Sequence, residues 1–129
     1  MLSVVIGALI FVSYGLGISQ VAQAQEVNCD NPSSTYEINE CAGRAYKSAD
    51  SKLNEVYRQL RSLVKGAERQ ELINAQQSWI GFRDKNCDFA TYRSRGGTGY
   101  NGFLSECLTR VTDQRTTELQ QYIQDIESQ

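Results

Sequence analysis

Between Ile38 and Val64 the apolar residues Ile38, Cys41/Ala42, Ala45/Tyr46, Ala49, Leu53, Val56/Tyr57, Leu60 and Leu63/Val64 recur at intervals of three and four. That spacing lines them up on one stripe of an α-helix and scatters them over both faces of a strand. A stripe this long must be covered by other elements, so the chain has to bury helix against helix. The start of the helix is also written locally. Asn31-Pro32-Ser33-Ser34 favours a turn, and Ser34 with Glu37 forms a capping box that satisfies free N–H groups of the first turn. The expected helix has about eight turns and ends near Gly66.

A second helix is expected from Ala67-Glu68, where the acid suits the positive end of the helix dipole. Its inward face reads Leu72, Ala75/Gln76, Trp79, Phe82/Arg83, Asn86/Cys87 and Phe89/Ala90, and it fades near Arg93. Gly96-Gly97-Thr98-Gly99-Tyr100-Asn101-Gly102 interrupts the pattern. A third helix then starts at about Phe103, with Leu104, Cys107/Leu108, Val111, Arg115, Leu119, Tyr122 and Ile126 on one side. Short joins place successive helices side by side, so the sequence predicts an all-α, antiparallel three-helix bundle with a glycine-rich loop between helices 2 and 3.

The N-terminal segment stands apart from this domain. Leu2 to Ile18 are nearly all apolar and uncharged, and Ala22-Gln23-Ala24 is a small-residue cleavage signal. Residues 1–24 are therefore expected to be a signal peptide and residues 25–129 the folded domain. The first residues lack the Lys or Arg of an ordinary signal, which is expected if translation starts further upstream. The alternative is an uncleaved anchor, since about 17 apolar residues just span a bilayer. No cysteine stands at the cleavage point to carry a lipid.

Export to the periplasm or beyond makes the four cysteines two disulfides. Four cysteines allow three pairings. Antiparallel helices 2 and 3 favour Cys87–Cys107, which would frame the glycine loop, and leave Cys29–Cys41 to pin the segment before helix 1.

The chain has no histidine, which removes Ser-His-Asp and Cys-His catalysis and His-ligated zinc. A net charge of −2 gives no basic surface for nucleic acid. Gly97 to Gly102 matches the dinucleotide fingerprint letter by letter, but a helix and not a strand precedes it, so it reads as a loop. The carboxylate pairs Glu37/Glu40, Glu68/Glu71 and Asp84/Asp88 sit at helix starts or beside Lys85, where a dipole or a solvated face explains them without glycoside chemistry. The expectation is a protein that is not an enzyme and holds no cofactor and no metal.

Two constellations remain. Arg93, Arg95, Gly96, Gly97, Thr98 and Tyr100 make the loop a candidate for protein recognition, because a tethered loop loses little entropy on binding; the plainer reading is a chain reversal. Arg83, one turn after Trp79, and Arg115, between Val111 and Leu119, lie on apolar stripes. A buried guanidinium must be paired, so Asp50, Asn54, Trp79, Arg83 and Arg115 are expected to form an internal polar network that fixes helix register.

Asn31-Pro32, Thr35 through Ala42, Ala49-Asp50-x-x-Leu53-Asn54-x-x-Tyr57, Ala75-Gln76-x-x-Trp79-x-x-x-Arg83-Asp84-x-x-Cys87, Gly96-Gly97-Thr98, and Cys107-Leu108 with Thr112-x-x-Arg115 follow in order along the chain. In these residues the sequence resembles the secreted helical family named after the lysozyme inhibitor LprI. The resemblance implies an exported, disulfide-bonded helical domain with a protein partner, lysozyme. Animal lysozymes are basic, so electrostatics favours the acidic stretch of Asp30, Glu37 and Glu40 over Arg93 and Arg95 as the facing surface. The competing reading is a structural or assembly module of the cell envelope.

Overall fold

In the computed structural model, which describes residues 26–129, the chain forms α1 (Thr35–Leu63), α2 (Gly66–Ala90) and α3 (Tyr100–Glu127), with one 3-10 turn at Tyr92–Ser94. The expected signal peptide at 1–24 lies outside the described residues, and no described helix is long and apolar enough to cross a membrane. The described residues contain no strand.

Ser34 caps α1 by accepting from the Glu37 N–H at 3.2 Å. Glu37 reaches back one residue further than the standard box, accepting from the Ser33 N–H at 2.7 Å and the Ser33 hydroxyl at 2.9 Å. The helix ends at Leu63, before the expected Gly66. The break comes at Val64-Lys65: the Val64 carbonyl accepts from Arg69 Nε at 2.9 Å, and Gly66 turns the chain with φ +55°.

α1 and α3 run parallel, with α2 antiparallel between them in sequence. At one end Asn39 meets Gly102, 63 residues apart. At the other, Leu53, Val56 and Leu60 of α1 pack with Leu119 and Ile123 of α3 in a single aliphatic cluster joined by Tyr57, Leu72, Trp79 and Ile126. α1 and α3 share the most extensive backbone approach. Small residues permit it: Ala49 and Gly102 are both buried. α2 presents Gln76, Arg83 and the half-buried Trp79 inward, so its backbone is held further away.

The structure corrects all three stripes, and on helix 1 Ile38 and Leu63 at the two ends are exposed. Phe82 and Phe89, expected on the inner face of helix 2, are 59% and 83% exposed. Gln76, Trp79 and Arg83 take the inward positions; Phe82 lies at the edge of a groove against Val111 and Arg115 of α3. On helix 3, Tyr122 is largely exposed and Ile123 takes the core position. α3 also starts at Tyr100 and not at Phe103. Gly102 is a helix residue, retained where an added Cβ would lie 2.6 Å from Asn39 Oδ1.

Candidate functional site

The starts of α1 and α3, the end of α2 and both disulfides converge at one end of the bundle. Cys29 is bonded to Cys41 and Cys87 to Cys107, with Cα–Cα separations of 5.5 and 5.7 Å. The second disulfide is buried with Val111, Leu104 and Leu108 around it, and it ties the last turn of α2 to α3. The first is more open and closes a short loop onto α1.

Between the two halves of the buried disulfide runs the glycine loop, and it is fixed at several points. Thr91 donates from both its N–H (3.0 Å) and its hydroxyl (2.7 Å) to the Cys87 carbonyl. Successive tight turns follow, from Ser94 N–H to Thr91, Gly97 N–H to Ser94 and Tyr100 N–H to Gly97. Gly96 sits at φ +81°, which side-chain-bearing residues rarely adopt. Asn39 of α1 then clamps the far side: its Nδ2 donates to the Thr98 carbonyl at 2.8 Å and its Oδ1 accepts from the Gly102 N–H at 2.9 Å.

Nothing in the apolar periodicity singles out Asn39. Its one signal is chemical, since Asn is a poor interior helix residue unless its amide finds a partner outside its own helix. Beside the clamp a cleft of about 340 Å³ opens between α1 and the loop, lined by Thr35, Ile38, Asn39, Gly99, Phe103 and Glu106.

Exposed apolar side chains gather at this end. Tyr36, Ile38, Phe89, Tyr92 and Phe103 are all exposed, and Arg93 and Arg95 project from the loop between them. The Arg95 guanidinium lies over the Tyr92 ring at 4.8 Å. Among the described residues neither Arg93 nor Arg95 forms an ion pair. Gly96, Gly97 and Thr98 are exposed and Tyr100 is half-buried.

Of the expected acidic residues Asp30 is exposed, while Glu37 and Glu40 are engaged locally. Glu37 is committed to Ser33, whose backbone and hydroxyl donors hold its carboxyl below the ordinary value. Glu40 pairs with Arg44 at 3.4 Å along α1.

The polar network occupies a different layer, between the disulfide and the aliphatic cluster. Arg83 is 8% exposed; it donates to Asp84 at 2.8 Å and to Asp50 at 3.4 Å, and Asn54 in turn donates to Asp50 at 3.3 Å. Its guanidinium lies 5.3 Å from the Trp79 ring and 5.7 Å from that of Tyr46. Burial raises the pKa of the Tyr46 hydroxyl.

Arg115 finds partners other than Asp50 and Asn54. It donates to Gln76 at 3.1 Å and to Glu118, and it also lies over Trp79, at 6.0 Å. The Arg115 hydrogen bond lowers the pKa of Glu118, and the bond that Tyr122 donates to Glu118 raises that of the phenol. Trp79 thus sits between two guanidiniums that each keep a carboxylate, a cation–π arrangement linking all three helices. Among the described residues no three Cys, Asp or Glu side chains gather to hold a metal ion.

The profile of the family described as lysozyme inhibitor LprI matches residues 29–119, from the first disulfide cysteine to the core Leu119. An uncharacterized protein of Rhizobium meliloti (strain 1021) is 31% identical over 120 residues, covering 83% of this chain and 86% of its own. No solved structure matches significantly. The matched span holds all four cysteines, the Asn39 clamp, the glycine loop and the Trp79 layer, and the chain belongs to the lysozyme inhibitor LprI family.

Proposed function

We propose that this chain is an exported, non-enzymatic domain, periplasmic or secreted, that inhibits lysozyme by binding it through the disulfide-framed end. One observation carries the choice of surface. The exposed aromatic residues Tyr36, Phe89, Tyr92 and Phe103 and two arginines without ion-pair partners lie together there, on backbone fixed by a disulfide and a side-chain clamp. Aromatic residues and arginine are the side chains enriched at binding hot spots, and a rigid loop gives up little entropy when it docks. The family name supplies the partner. Two disulfides among the described residues accord with an oxidising compartment, and release of residues 1–24 by signal cleavage would deliver the domain there.

The test is lysis of bacterial cell walls by lysozymes of several types, with and without the purified oxidised protein. Inhibition at or below micromolar protein is expected, lost when Gly96–Gly102 is replaced by a flexible linker of the same length. No inhibition of any type would retire this reading in favour of an envelope assembly module. Wall fragments released by the protein alone would show an enzyme.

A further inference from the structure

We infer that Arg95, assisted by Arg93, is the inhibitory contact, and that it enters a glycosidase cleft to pair with the two carboxylates there; this rests on the lysozyme reading above. The target is defined by chemistry: glycoside hydrolases of the lysozyme type carry two carboxyl groups across the scissile bond, at about 5–9 Å from each other. A guanidinium presents five donors in a planar fork and pairs with carboxylates more specifically than any other side chain.

The loop is shaped for insertion. Arg95 is followed by Gly96 at φ +81° and by Gly97, where an added Cβ would lie 3.2 Å from the Ser94 carbonyl oxygen, so the backbone beside Arg95 is narrow and sharply turned. The guanidinium is presented over the Tyr92 ring and has no intramolecular carboxylate to leave on binding. By contrast Arg44, Arg83 and Arg115 are each already paired with an acid, and Arg58 and Arg61, exposed and unpaired among the described residues, lie on the later turns of α1, toward the other end. The loop cannot recoil either, because Asn39 holds it at Thr98 and Gly102 and Cys87–Cys107 closes its base.

This reverses the electrostatic expectation drawn from the sequence. A basic lysozyme repels Arg95 at long range, but at physiological salt that repulsion is screened beyond about 8 Å. Inside the cleft the nearest charges are the two carboxylates. Glu26 and Asp30, two of the acids at the same end, are exposed and would face the basic rim.

Steady-state inhibition of a lysozyme that the protein inhibits, repeated with the chitin trisaccharide occupying the cleft, tests the inference. The expected results are inhibition that the trisaccharide competes away and a loss of at least about 30-fold in affinity for Arg95→Gln. Arg93→Gln should lose less, Arg95→Lys should keep part of the affinity, and all three should melt with the wild type. Inhibition that persists unchanged in Arg93→Gln/Arg95→Gln, or that the trisaccharide does not affect, overturns the inference and leaves the inhibitor reading standing. Absence of inhibition by the wild type overturns both.

Discussion

The two ends of the bundle are held together by different physics. At the far end, Leu53, Val56, Leu60, Leu119 and Ile123 bury one another, with no disulfide and one side-chain bond, from Arg69 to the Val64 carbonyl, at the turn between α1 and α2. At the near end the exposed residues include Ile38 and four aromatic rings, and order comes from two disulfides and Asn39. Aliphatic burial stabilises in proportion to area removed from water, so it uses up the apolar surface it depends on. Covalent and hydrogen-bonded anchoring leaves that surface free. A small domain that must display aromatic side chains and still fold can therefore separate the two tasks along its length, with the Trp79–Arg83–Arg115 layer between them.

The largest effect is expected at the far end. Leu119→Ala should destabilise by about 2–5 kcal/mol and lower the melting temperature by at least about 10 °C, while inhibition measured below the transition stays unchanged. At the near end, replacing Cys87 and Cys107 together by Ala releases a 20-residue loop, with an expected loss of about 3 kcal/mol. Here inhibition should fall as well, and a calorimetric scan with an inhibition assay on the same sample checks both readouts.

Arg83→Ala samples the layer between. It removes contacts to Asp50, Asp84 and Trp79, but both acids are about half exposed and rehydrate, so about 2 kcal/mol is expected by denaturant titration. An unchanged midpoint would mean that the network is not structural. Gly102→Ala should cost about 1–2 kcal/mol, because its Cβ displaces the Asn39 amide and breaks two clamp bonds. Its larger effect should be on loop order, seen as faster amide exchange at 96–102.

The smallest effect is the pH dependence. Glu37 and Glu118 have carboxyl pKa values lowered in the folded state by Ser33 and Arg115. Their stabilisation is present above the unfolded carboxylate pKa and is lost as pH falls through the folded values. Stability should therefore decline in acid, with Glu37→Gln flattening that part of the curve without touching the far end.

Much of this architecture is legible in the sequence because it rests on local rules. The three helices and the Ser34 cap follow from spacing of three and four along the chain. Where the reading departs from the structure, contacts between distant elements decide the outcome. Gly102 reads as a helix breaker until Asn39, 63 residues earlier, is found against it. Phe82 and Phe89 fit the stripe of helix 2, but Gln76, Trp79 and Arg83 hold that helix away and leave both rings outside. The parallel register of α1 and α3, and with it the clamp and the cleft, has no signature in either helix alone. The four cysteines signal a framed loop, but not that exposed aromatic side chains would collect around it.

Amide hydrogen exchange of the protein with and without bound lysozyme distinguishes a near end that binds from a far end that only folds. Added protection is expected at Tyr92–Phe103 and in the first turns of α1, with exchange at Leu53–Leu60 and Leu119–Ile123 unaltered. Protection confined to those far segments, or to the outer face of α2, would contradict that expectation.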